Sequence, residues 1–121
     1  MSEEDNKRLV TRWYNELFNQ RKLNVADEII ARGAVMNGEP DFPNPQMGPA
    51  GYKALVNHWT GRFPQAKITI TNQTVVGNKV TTRWTAKAHP EDVDEMKGED
   101  TWTIQDGRII GNECKREHSP F

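Results

Sequence analysis

The chain changes its hydrophobic rhythm once, near Pro64, and that change restricts the folds open to it. Before Pro64, apolar residues recur three and four apart. Leu9, Val10, Trp13, Tyr14, Leu17 and Phe18 form one stripe over residues 3–20, and Tyr52, Leu55, Val56, Trp59 and Phe63 form another over residues 49–63. This spacing gathers side chains on one face of a helix. After Pro64 the period is two. Residues 67–76 are rich in Ile, Thr and Val. Residues 79–88 place Val80, Thr82, Trp84, Ala86 and Ala88 on one face, with Arg83, Thr85 and Lys87 on the other. Residues 99–105 carry Trp102 and Ile104, and residues 108–117 make a last strand. Gly77-Asn78 and Asp106-Gly107 are tight-turn pairs. Helices followed by an antiparallel meander predict an α+β domain, with three N-terminal helices packed on one face of a curved antiparallel sheet.

Local signals set the helix ends. Ser2 is placed to cap the first helix, and Glu3, Glu4 and Asp5 suit its positive end. A second helix is expected from Leu23 to Ala31, closed by Gly33. Residues 34–49 carry four prolines and read as a loop, preceded by a short strand at Ala34-Val35-Met36. The 121 residues suit a single domain spanning 1–121. Sixteen basic residues against seventeen acidic ones argue against a nucleic-acid partner, which would select a basic face. No apolar run is long enough to span a membrane. A lone cysteine, Cys114, and an acidic start without signal-peptide character lead us to expect a cytoplasmic protein.

Several segments, in order, resemble the SnoaL-like polyketide cyclases. Residues 9–19 (LVTRWYNELFN) are similar to the opening helix of that family, and residues 23–31 (LNVADEIIA) to its second. Gly51-Tyr52-Lys53-Ala54-Leu55 with Phe63-Pro64 resembles the third helix and its exit. Residues 80–86 (VTTRWTA) resemble a central strand, and Asp106-Gly107-Arg108-Ile109-Ile110 the turn into the last one. The resemblance implies a cone of the nuclear transport factor 2-like superfamily, usually a homodimer, with a pocket between helices and sheet. Members include cofactor-free cyclases, isomerases and dehydratases, and also proteins without catalysis, so fold alone does not assign function.

The resemblance also implies site residues. Counted from the aspartate-glycine turn, Glu117 falls where relatives carry an acid/base aspartate. Asn37 stands where many relatives have a pocket histidine, and His89 near the position of another. A separate argument comes from strand alternation. In a regular last strand Ile109, Gly111, Glu113, Lys115 and Glu117 share a face, so an inward Ile109 carries Glu113 and Glu117 inward with it. Two carboxylates in an apolar pocket would have raised pKa values, suited to proton abstraction. The alternative is that residues 113–118 form a solvated strand edge, and that His89 is a solvent-facing loop residue. Tyr14, Trp59, Trp84 and Trp102 are candidate walls of a ligand pocket, or else core residues. Cys114 has no base beside it on its face in this register. The three histidines have no metal-ligand spacing, and phosphate-loop and dinucleotide fingerprints are missing.

The expected function is therefore a cofactor-independent acid/base enzyme acting on a small hydrophobic carbonyl compound, by cyclisation or isomerisation. Glu117 would be the acid/base, with Asn37 and His89 orienting oxygen. The alternative is a non-catalytic ligand-binding or dimerisation module of the same fold. A third option is a hydrolase or dehydratase using Asp/His chemistry.

Overall fold

The computed structural model describes residues 2–38 and 48–120. Helix α1 (Glu3–Arg12) begins in a capping box. The Ser2 hydroxyl accepts from the Asp5 N–H at 3.1 Å, and the Asp5 carboxylate accepts from the Ser2 N–H at 3.3 Å. The chain then widens into a π-helical segment, Trp13–Asn19, and this places Trp13, Tyr14, Leu17 and Phe18 together on the buried side. Such segments are uncommon and recur at functional sites.

Helix α2 is shorter than expected, Val25–Ile29, because Ile30 already belongs to strand β1 (Ile30–Asn37). Most of the loop expected over residues 34–49 lies outside the described residues, and its first residues, 34–37, belong to β1. Helix α3 (Gly48–Arg62) buries the expected stripe of Tyr52, Leu55, Val56 and Trp59. Strands β2 (Lys67–Val76), β3 (Lys79–Lys87), β4 (Met96–Gln105) and β5 (Arg108–His118) follow. Both hairpin turns form where expected. Asp106 and Gly107 take φ of 51° and 76°, the left-handed pair that a tight two-residue hairpin needs.

The sheet order is β1-β5-β4-β3-β2. β2 to β5 are the antiparallel meander, but β1 joins β5 in parallel, so the sheet is mixed rather than wholly antiparallel. The helices cover one face. A single apolar core lies between them and the inward rows of the strands, and Trp102, Tyr14, Tyr52 and Leu17 are among its largest fully buried side chains. No helix among the described residues is long and apolar enough to cross a membrane.

Candidate active site

The inward row of β4 is Met96, Gly98, Asp100, Trp102 and Ile104, every second residue and each of them buried. One of the five is a carboxylic acid. Asp100 is 5% exposed, and four side chains converge on it. The Tyr14 hydroxyl donates to Oδ2 at 2.7 Å, and the Trp84 indole N–H donates to the same oxygen at 2.9 Å. The Asn112 amide reaches Oδ1 at 3.4 Å, and the Cys114 thiol supplies a further hydrogen bond. Behind these stands a second rank. The Trp102 indole donates to the Tyr14 oxygen at 2.9 Å, so the tyrosine proton is directed at Asp100. The Tyr52 hydroxyl donates to the Asn112 carbonyl oxygen at 2.7 Å, which fixes the amide with its NH2 towards Asp100.

None of the four hydrogen-bonding partners is a cation. Burial therefore outweighs the donors and pushes the Asp100 carboxyl up to about 6. Tyr14 is pushed far above the ordinary phenol range by burial and by the adjacent carboxylate, and Tyr52 is raised by the same two causes. Near neutral pH the arrangement is one ionised carboxylate held by protonated donors.

Asp100 borders a cavity of about 70 Å³ between α3, the π-helical segment and the sheet. Trp13, Phe18, Trp59, Phe63, Trp84 and Trp102 are the aromatic part of its wall, and Asn112 and Cys114 are polar groups beside Asp100. Gly98 makes this possible. It sits opposite Trp84 on the neighbouring strand, and a Cβ there would lie 2.4 Å from the Trp84 ring. Gly98→Ala is expected to displace the indole from Asp100 and to destabilise the fold by about 1–3 kcal/mol. Urea denaturation checks this, and an unchanged midpoint would contradict it.

The structure places the expected site residues differently from one another. Trp59, Trp84 and Trp102 do line the cavity. Tyr14 is fully buried behind Asp100 and acts on the carboxylate rather than on the cavity. Asn37, Glu113 and Glu117 are exposed, and none of them borders the cavity. The expected inward direction of Glu113 and Glu117 is thus corrected, for a specific reason. Thr103 pairs with Gly111 but Ile104 pairs with Ile109, so Ile110 is an extra residue in β5. This bulge reverses the alternation beyond it. Ile109 faces inward, and after the bulge so do Asn112, Cys114 and Arg116, while Glu113 and Glu117 face out. Glu117 is itself the extra residue of a second irregularity, between Arg116 and His118, and pairs with Arg83 at 2.9 Å on the outer face. Arg83 also meets Glu99 there, at 3.3 Å. His89 is exposed in the loop after β3, its ring 6.1 Å from that of Phe63 at the cavity's edge. Among the described residues no cluster of three or more His, Cys, Asp or Glu side chains is placed to hold a metal ion.

Asp100 itself was within reach of sequence reasoning, since it stands two residues before Trp102 and four before Ile104 in a strand of period two. Asn112 and Cys114 were not, because their inward direction depends on the bulge.

The family model of the SnoaL-like domain matches residues 10–112. The chain belongs to the SnoaL-like family. No curated protein sequence matches it. Among solved structures, a loop-truncation variant of IdmH is 24% identical, with a TM-score of 0.78 over 93% of this chain and 92% of that one. Wild-type IdmH comes from Streptomyces antibioticus and is provisionally assigned as a polyketide cyclase. A protein from Acidithiobacillus ferrooxidans with the same provisional assignment is 22% identical, with a TM-score of 0.77 over 98% of this chain and 92% of that one. TerC, co-crystallised with polyporic acid, is 14% identical, with a TM-score of 0.77 over 93% and 92%. At these identities the likeness establishes the shared SnoaL-like fold.

Proposed function

We propose that this chain is a cofactor-independent acid/base enzyme acting on a small hydrophobic carbonyl compound, with Asp100 as the proton carrier. One observation carries this reading: a buried carboxylate, its pKa raised to about 6, stands in the wall of an aromatic-lined cavity. A base with a pKa near the working pH is largely ionised and still strong enough to remove a proton beside a carbonyl. The Asp100 carboxylate takes that proton and leaves an enolate. The enolate carbon then either attacks a second carbonyl, closing a ring, or is reprotonated elsewhere along the conjugated system. In both cases Asp100 returns the proton, and no oxidant or cofactor is consumed. The Asn112 amide, held beside Asp100 by Tyr52, is a donor for the developing oxyanion. The enclosed volume is well below the roughly 300–1,000 Å³ of drug-sized ligand sites, so only the reacting end of a substrate enters.

A second reading, a ligand-binding module without catalysis, is favoured by the four donors already engaged with Asp100, which also suit a purely structural anion. The two readings differ in a simple assay. Proton NMR in D2O follows deuterium uptake beside the carbonyl of 2-tetralone, a flat enolisable ketone. The acid/base reading expects uptake above the buffer rate, rising through an apparent pKa of about 6. Saturable binding of 2-tetralone with no acceleration at any pH would favour the binding module.

A further inference from the structure

Asp100 is surrounded by donors, which suits a carboxylate and ill suits the carboxylic acid it becomes on taking a proton. Tyr14 and Trp84 donate to Oδ2, and Asn112 donates to Oδ1. A new O–H in this buried site needs an acceptor. The Trp84 indole N–H cannot accept. The Tyr14 oxygen already accepts from Trp102. The sulfur of Cys114 is a weak acceptor. Of the four, Asn112 alone brings a strong acceptor, its amide carbonyl, and that oxygen is held by the Tyr52 hydroxyl at 2.7 Å. Tyr52 comes from α3 and Asn112 from β5, and both are buried. Asn112 borders the cavity and Tyr52 does not. Burial, with the Asp100 charge, holds the Tyr52 phenol above its ordinary range, so it stays a donor wherever Asp100 titrates. The other titratable groups facing Asp100 are Tyr14 from the π-helical segment and Cys114 from β5, while Arg116 and Lys87 border the same cavity.

We propose that Tyr52 is a positioning residue for Asp100: it locks the Asn112 amide in the orientation that serves the carboxylate, and so denies the protonated acid its one strong acceptor. The proposal rests on Asp100 being the base, and adds the device that makes it give the proton back. When Asp100 takes a proton from the substrate carbon, an O–H bond forms among donors. Turning the Asn112 amide over would relieve this, with the carbonyl accepting from the acid. That turn would strip the buried Tyr52 hydroxyl of its acceptor, a loss of about 1–3 kcal/mol. It would also carry the oxyanion donor away from the enolate. With the amide locked, the proton returns to the enolate carbon and the donor stays aimed at the reacting oxygen.

The first measurement needs no substrate. The carboxyl carbon-13 midpoint of Asp100 is compared in the parent and in Tyr52→Phe, which keeps the ring and frees the amide to turn. The expected result is a rise of about one unit, the size of one hydrogen bond gained by the neutral acid. In an Asn112→Ala background the same replacement is expected to leave the midpoint where it was, because Tyr52 acts through the amide. Deuterium uptake into 2-tetralone gives the second readout. Tyr52→Phe is expected to lower kcat by about tenfold and to leave KM within about twofold, since Tyr52 does not border the cavity. Loosened packing alone would not move the midpoint. An unmoved midpoint in folded Tyr52→Phe, or a shift that persists in Asn112→Ala, would overturn the proposal. If Tyr52→Phe does not fold, the parent still decides. Its Tyr52 hydroxyl proton, sheltered by burial and by the bond to Asn112, is expected to stay visible by NMR on both sides of the Asp100 midpoint. Loss of that signal as Asp100 takes its proton would mean that the amide turns, and would overturn the lock. The acid/base reading fails separately. A raised midpoint with no deuterium uptake in the parent removes the base and keeps the lock, and uptake with an unmoved midpoint removes the lock alone.

Discussion

Asp100→Asn is expected to lower deuterium uptake by 2-tetralone by about 10²–10⁴-fold, the range associated with a positioned general base. The substitution keeps the shape of the side chain and removes the basic oxygen. The amide carbonyl can still accept from Tyr14 and Trp84, which share one oxygen of the native carboxylate. Its NH2 then faces the Asn112 amide, where the native group accepted. That mismatch costs about 1–3 kcal/mol, within what a domain of this size tolerates. The variant is therefore expected to fold, with near-ultraviolet circular dichroism from its tryptophans preserved. Activity within a few-fold of the parent in a folded variant would rule Asp100 out as the base.

The same carboxylate makes stability depend on pH in an unusual direction. Most native carboxylates gain partners on folding and stabilise the protein as pH rises. Asp100 does the reverse, because its folded pKa of about 6 lies above the unfolded value of about 3.9. Between these values the folded protein keeps a proton that the unfolded chain has released. The stability from this group is fully present below about pH 4 and is lost as pH rises through about 6, a change of about 3 kcal/mol. Asp5, Glu16 and Asp94, held down by Arg8, Arg12 and His118 respectively, act in the opposite sense, but they are solvent-screened and weak. Comparison with Asp100→Asn cancels them. The stability difference between parent and variant, from urea denaturation at pH 3 and at pH 7.5, should move by about 3 kcal/mol in favour of the variant. A constant difference would mean that Asp100 ionises as it does in water.

Much of the architecture was readable because it is set locally. The capping box at Ser2, the left-handed turn at Asp106-Gly107, the stripe of α3 and the alternation of β3 each follow from residues close in sequence. The π-helical segment was not, since apolar pairs at 13–14 and 17–18 fit an α-helix equally well. Only the end of β1 was read as strand, at Ala34-Val35-Met36, and its start was read as helix end, because its pairing register shifts between Ile30 and Val35 and its partner, β5, lies more than 70 residues away in the chain. The site was legible on β4 and illegible on β5. On β4 strict alternation puts Asp100 beside Trp102. On β5 one extra residue, Ile110, exchanges the two faces, replacing Glu113 and Glu117 in the interior with Asn112, Cys114 and Arg116. A bulge of this kind leaves no mark in a local pattern, because it is defined by the partner strand.

The sheltered carboxylate can be observed without any substrate. Carbon-13 NMR of protein labelled at the aspartate carboxyl carbons, with Asp100→Asn to assign the resonance, reports its ionisation directly. The account predicts a midpoint near 6 for Asp100. A midpoint at or below 4 would contradict it, and would leave a hydrogen-bonded structural anion where a base has been placed.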